Sequence, residues 1–149
     1  MSWNRKNLLD LNDWVPQDFE DFVKRALALK PRLVSAPKRP LDSLRGFTVA
    51  NLFFENSTRT RNSFDVAERM TGAEVIDWSA SGSSMSKGES LRDTVWTLCE
   101  MGVNALVVRH SATGMPHYIQ KLVPHVPVFN AGDGARSHPT QGLLDVSAV

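Results

Sequence analysis

Short apolar runs alternate with longer segments of helical spacing, and the alternation repeats four times. Residues 48–54 (TVANLFF), 74–78 (EVIDW), 105–110 (ALVVRH) and 126–130 (VPVFN) are the apolar runs, each expected to be a strand. The segments between them predict helices at about 58–70, stopping at Gly72, and at about 90–101, stopping at Gly102. A short helix is expected near 116–122, and another from Pro139 to the end of the sequence. Ahead of the repeats, residues 16–31 place Phe19, Phe22, Val23, Ala26 and Leu27 on one face, with Glu20, Asp21, Lys24 and Arg25 between them. That spacing predicts an amphipathic helix beginning at Pro16. Residues 35–46 (SAPKRPLDSLRG) show no periodicity and read as a connector.

Strands of near-continuous apolar residues separated by helices predict a parallel sheet covered on both faces. Right-handed crossovers then bring every strand-to-helix loop to one edge, where open parallel sheets bind ligands. The last apolar segment, 143–149 (LLDVSAV), carries no Gly, Pro or basic last turn to stop a helix. The expectation is that the chain is one piece of something longer.

Composition adds bounds rather than identity. The chain has 149 residues, which suits one domain, and 42% hydrophobic with 22% charged residues allows a core. Net charge is +1, from 17 basic and 16 acidic residues, so neither nucleic acid nor an anionic membrane is an expected partner. Any positive field must be local. The one cysteine, Cys99, excludes an intrachain disulfide and fits a reducing compartment, and Leu98 and Met101 suggest a buried thiol. The opening MSWNRKNLLDLNDW has no long apolar run, so neither a secretory signal nor a membrane span is expected. A cytoplasmic protein is the natural reading.

The four loops supply the chemistry. The first, FENSTRTR, follows a buried strand and opens a helix, whose free N–H groups and partial positive charge attract phosphate. Ser57 or Thr58 at the cap and Arg59 or Arg61 beside it would add hydroxyl donors and a bidentate cation; the plainer alternative is an N-cap with solvated arginines. The second loop, residues 79–90 (SASGSSMSKGES), has six serines and could be a linker, yet Lys87, Glu89 and Ser90 stand at a helix start. It is not a P-loop, because Lys87 precedes Gly88 and no Gly-Lys pair is followed by Ser or Thr. The third begins at Val108-Arg109-His110, with an arginine ending an apolar strand. The fourth, residues 131–141 (AGDGARSHPTQ), places Pro139 in a first helical turn with Ser137 or His138 as cap. His138 and Gln141 are three apart and share one face. Taken together, Arg59, Lys87, Arg109, His138 and Gln141 fall in four loops of one sheet edge. Converging cations call for a doubly charged anion and the His–Gln pair for a carbonyl or amide, which suggests an acyl-phosphate-like ligand such as carbamoyl phosphate.

At this point the motifs resemble a known family. Residues 53–60 (FFENSTRT) fit the F-x-E-x-S-T-R-T signature of the aspartate and ornithine carbamoyltransferases. HPTQ at 138–141, Lys87-Gly88-Glu89 followed by Asp93-Thr94, and Val108-Arg109-His110 match in the same order. Arg109-His110, the threonine of HPTQ and the Lys-Gly-Glu loop are similar to the aspartate branch. The resemblance implies that Ser57, Thr58, Arg59 and Thr60 hold phosphate at a helix start. It implies that Ser83 and Lys87 reach that phosphate from a neighbouring subunit, so that sites are shared in a homotrimer. It implies that Arg109 spans phosphate and carbonyl, that Thr60, Arg109 and His138 polarise the carbonyl oxygen, and that Gln141 holds the carbamoyl amide. Aspartate's amine attacks the carbamoyl carbon in this reaction, which uses no metal, cofactor or covalent intermediate. The family's enzymes carry a second domain for aspartate, and regulatory or other pyrimidine-pathway chains vary among them.

The expectation is therefore a three-layer α/β/α domain over residues 1–149, with a four-stranded parallel sheet in the order 2-1-3-4 and little or no turnover of aspartate by this chain alone. The alternatives are the corresponding domain of an ornithine carbamoyltransferase and a non-catalytic anion-binding or assembly module. Neither a P-loop nor G-x-G-x-x-G follows any expected strand, which speaks against nucleotide binding.

Overall fold

The computed structural model describes residues 5–35, 37, 40–79 and 90–148. Its order is α1 (Pro16–Val34), β1 (Thr48–Phe53), α2 (Thr58–Met70), β2 (Glu74–Ser79), α3 (Leu91–Glu100), β3 (Ala105–His110), α4 (Met115–Leu122), β4 (Val128–Asp133) and α5 (Pro139–Ser147). The four strands form one parallel sheet in the order β2-β1-β3-β4, the order expected. Val49 of β1 pairs with Val75 of β2 on one side and with Ala105 of β3 on the other.

The two faces of the sheet are filled differently. Ala50, Leu52, Leu106, Val108 and Val128 point to the face covered by α3 and α4, where they pack with Val95, Leu98, Ile119 and Val123. On the opposite face Val49, Phe53, Val107 and Ala131 meet Phe64 of α2. Alternation along β1 explains the split, since successive strand residues point to opposite faces. Asn51, between Val49 and Phe53, is fully buried on the α2 face, and its Nδ2 donates to Oε2 of Glu68 at 2.8 Å.

Helix starts and stops follow local chemistry. Ser90 caps α3 by accepting the N–H of Asp93. Gly72 and Gly102 follow α2 and α3 with φ of +85° and +92°, a conformation that glycine adopts without steric cost. Asp18 closes the first turn of α1 by accepting the N–H of Val15, and it also binds Arg5 at 2.7 Å. Residues 7–9 run along the outer edge of β4: Leu8 donates to Val128 O and accepts from Asn130 N, and Asn7 Oδ1 takes the N–H of Val128. The edge strand's ladder groups are partnered in this way rather than left open.

Three expectations need correction. α1 does not stop at Pro31 but runs three residues further, to Val34. Near the end of a helix a proline forfeits only one intrahelical bond, and Ser35 still closes the last turn on Pro31 O. β4 is displaced from the expected 126–130 to Val128–Asp133. Val126 donates back to Val123 O and Pro127 has no N–H, so the paired residues begin at Val128, with Pro127 O taking the N–H of Leu106 at 2.9 Å. The strand continues through Ala131, Gly132 and Asp133 because a register shift between Val108 and His110 lets Asp133 pair with His110. The first three residues of the expected fourth loop are therefore strand. Cys99 is half-buried rather than buried, though burial still pushes its thiol up from the ordinary range, helped by Glu100.

Candidate functional site

The order β2-β1-β3-β4 reverses direction between β1 and β3, so a crevice opens at the carboxyl ends of those strands. Phe54 N–H closes the strand ends by donating to Arg109 O at 2.9 Å. Above this junction lies an open cavity of about 920 Å³. Ser57, Arg59, Thr60, Arg109, His138 and Gln141 all line it. Six of the residues singled out from sequence are thus brought together by α2, β3 and α5.

Thr58, exposed at the first position of α2, is not among the lining residues. Ser83 and Lys87 lie outside the described residues, as does most of the serine-rich loop. Arg61, the other arginine of the first loop, is engaged elsewhere: it sits 3.6 Å from Asp77 and over the Phe53 ring. Alternation along β3 likewise separates Arg109 from His110, whose ring packs 5.1 Å from Phe54 and whose Nδ1 accepts the N–H of Ala112.

Ser57 is the N-cap of α2, and its side chain makes no capping hydrogen bond. The hydroxyl and the first backbone N–H groups of the helix are therefore available to an incoming anion. Arg109 is held on two sides. One Nη donates to Ala131 O at 2.9 Å, and the other lies 2.6 Å from Oε1 of Glu55. Its Nε is buried with no partner. Such a guanidinium is preset in direction and still has a donor to satisfy.

His138 is the N-cap of α5, and its Nδ1 accepts from the N–H of Gln141 at 3.3 Å with the Thr140 hydroxyl 3.2 Å away. An acceptor Nδ1 places the ring proton on Nε2. Burial, and then the Arg109 charge, push the His138 pKa below the ordinary histidine range. The ring is thus neutral at pH 7 and still a donor. Gln141 gives its amide N–H to Asp145 at 2.8 Å, which leaves its Oε1 as an acceptor.

Two residues that sequence reasoning left without a role help to build the site. Glu55 stands in the first motif, but its pairing with Arg109 is a tertiary contact that no local pattern announces. Gly132 has φ of +124°, and a Cβ there would stand 2.5 Å from Arg109 Nη1 and 3.5 Å from the His138 ring. Only a residue without a side chain lets the arginine pass. Among the described residues no group of three His, Cys, Asp or Glu side chains could hold a metal ion.

Comparison with known proteins gives this geometry a lineage. A family model described as the aspartate/ornithine carbamoyltransferase, carbamoyl-P binding domain matches residues 6–149. The aspartate carbamoyltransferase catalytic subunit of Solibacter usitatus is 48% identical over 142 residues, covering 95% of this chain and 46% of its own length. That of Deinococcus radiodurans is 46% identical, with 97% and 45% covered. The chain thus spans about half the length of the curated relatives it matches. Among solved structures, the catalytic subunit of M. Jannaschii aspartate transcarbamoylase superposes with a TM-score of 0.84 at 37% identity, covering 96% of this chain and 46% of that one. Aspartate transcarbamoylase from Trypanosoma cruzi, solved in complex with carbamoyl phosphate, gives a TM-score of 0.85 at 33% identity, with 95% and 42% covered. The residues on the crevice, the sheet order and these matches lead to one conclusion: the chain belongs to the aspartate/ornithine carbamoyltransferase family, as its carbamoyl-phosphate-binding domain.

Proposed function

We propose that this chain is the carbamoyl-phosphate-binding half of an aspartate carbamoyltransferase, which transfers a carbamoyl group to the amine of L-aspartate and releases phosphate. The observation that carries the proposal is the convergence of Ser57, Arg59, Thr60, Arg109, His138 and Gln141 on one cavity at the sheet's switch point. The aspartate branch is favoured over the ornithine branch by the curated relatives quoted above, both aspartate carbamoyltransferase catalytic subunits.

The phosphate rests on the α2 N-terminus, with the Ser57 hydroxyl, the Thr58 N–H and Arg59 as donors. Arg109 exchanges Glu55 for the ligand and spans its phosphate and carbonyl oxygens. Thr60, Arg109 and the Nε2–H of His138 surround the carbonyl oxygen, where negative charge grows as the amine attacks. Each such donor commonly supplies roughly 3 to 4 kcal/mol of transition-state stabilisation. Gln141 Oε1 accepts from the carbamoyl NH₂. The new C–N bond forms, the C–O bond to phosphate breaks, and the proton shed by the amine leaves with the phosphate. Holding both substrates in attack geometry contributes up to roughly 7 to 11 kcal/mol.

In this proposal Ser83 and Lys87 complete the phosphate site from a neighbouring copy in a trimer, in the cytoplasm, and a second domain carries aspartate. No helix among the described residues is long and apolar enough to cross a membrane. The test is a mass measurement in solution with and without carbamoyl phosphate, alongside titration calorimetry. Binding of the ligand with a shift of mass toward three chains is expected, with little or no carbamoylaspartate formed. A strict monomer that ignores the ligand would overturn the shared site, and robust turnover by the 149-residue chain would overturn the half-enzyme reading.

A further inference from the structure

Asp133, the last residue of β4, is fully buried, and the reaction described above leaves it without a role. Its two carboxylate oxygens serve two different loops. Oδ1 accepts the N–H of Ser137 at 2.9 Å, in the β4–α5 loop. Oδ2 accepts the N–H of Gly114 at 2.9 Å, in the β3–α4 loop. The backbone of Asp133 adds a third tie, since its N–H donates to Ser137 O at 3.1 Å. Gly134 N–H joins the same two loops by donating to His110 O at 2.9 Å.

A carboxylate costs several kcal/mol to take out of water, roughly, unless its oxygens find good donors. An apolar residue would fill the space without that cost. What the carboxylate adds is direction, because charge-assisted bonds to two backbone N–H groups fix the separation of the loops they come from. One of those loops follows directly from Arg109 and His110. The other delivers Ser137, held at both its N–H and its C=O, to the position before His138. His138 then turns Nδ1 onto the Gln141 N–H, and this contact decides which nitrogen keeps the proton.

We propose that Asp133 is a positioning residue for carbonyl polarisation: by clamping Ser137 against the end of β3 it sets the placement and tautomer of His138 relative to Arg109. This rests on the carbamoyl-phosphate reading for its chemistry, though not for its geometry. Asp133→Asn is the informative change, since it keeps the shape and turns one accepting oxygen into an NH₂ that faces a donor.

The experiment compares wild type and Asp133→Asn by titration calorimetry with carbamoyl phosphate and with inorganic phosphate, and by imidazole ¹⁵N NMR of His138. Phosphate affinity should stay within about twofold, because Ser57 and Arg59 do not touch Asp133. The preference for carbamoyl phosphate over phosphate should fall about tenfold, the equivalent of one lost hydrogen bond. The His138 spectrum should change from a single Nε2–H tautomer to a mixture. A folded variant with unchanged preference and an unchanged imidazole spectrum overturns the proposal, as does an equal loss for both ligands. Should the variant fail to fold, the wild type decides by hydrogen exchange. The Ser137 and Gly114 amides then exchange together, whereas rates about tenfold or more apart refute a common clamp. Wild type that binds neither ligand removes the carbamoyl-phosphate reading, and the ligand-free imidazole spectra still judge Asp133.

Discussion

The two faces of this sheet divide the labour of the domain. Among the described residues the α3/α4 face is built on eleven buried apolar side chains, from Ala50 and Leu52 to Val126 and Val128. The α2 face has four, and between them lie the buried Asn51 and Glu68. The cavity is lined by α2, the end of β3 and α5, and none of its residues belongs to those eleven. The contrast teaches that the apolar face holds the fold while the other is left free to carry polar groups, a division that fits the lower local stability of binding regions.

The sharpest way to break this comparison is to damage the thick face and ask whether binding survives. Leu106→Ala empties a fully buried position there and should cost about 3 kcal/mol of stability in urea denaturation. The folded fraction should bind phosphate as before; weakened binding would mean that the faces are not independent. Gly132→Ala is next, and it strikes where the faces meet. Its Cβ would push Arg109 aside at a positive φ, costing roughly 2 kcal/mol and at least about tenfold in carbamoyl-phosphate affinity by calorimetry.

Arg59→Ala touches only the thin side. It should lower phosphate affinity about tenfold while stability stays within roughly 0.5 kcal/mol, because the side chain is exposed. The smallest effect is expected at Glu68. Burial raises its pKa above the ordinary glutamate range, with Asp65 and Asp77 adding to the shift and Asn51 and Arg69 opposing it. A carboxyl whose folded pKa is raised contributes stability that is complete below its unfolded pKa and is lost as pH climbs through the folded one. Oε1 of Glu68 and Oδ1 of Asn51 are both buried without partners, and an amide at position 68 has a donor to offer. Glu68→Gln should therefore gain about 1 kcal/mol over wild type at pH 8 and lose that advantage toward pH 4, read by thermal melts across pH. His138 runs the opposite way: its pKa is lowered, so its share of stability is present above the unfolded pKa and is lost as pH falls.

Much of this arrangement is visible in the chain itself, for physical reasons. β1 and β3 are continuous apolar runs, so their parallel pairing, and the loops that follow them, could be placed from pattern alone. Arg59, Arg109, His138 and Gln141 stood out because each is a polar group at a strand end or helix start. What remained hidden was tertiary. Glu55 has meaning only once Arg109 lies beside it. Gly132 and Asp133 look like turn residues, and the register shift that admits them to β4 depends on β3. The helical spacing of α1 was clear, yet nothing in it showed that Pro31 would lie inside the helix rather than end it.

Ser57 heads α2 without using its own hydroxyl as a cap. The helix thus gives up roughly 1 kcal/mol that a serine in that place commonly provides. An anion can restore it, so the melting temperature of this domain should depend on what the buffer contains. Samples kept in phosphate will look sturdier than those kept in an amine sulfonate. At about a hundred times its dissociation constant a bound ion adds roughly 2.7 kcal/mol. Stabilities measured in different buffers therefore describe different species, and a screen of simple oxyanions by thermal shift becomes a direct assay of the helix end.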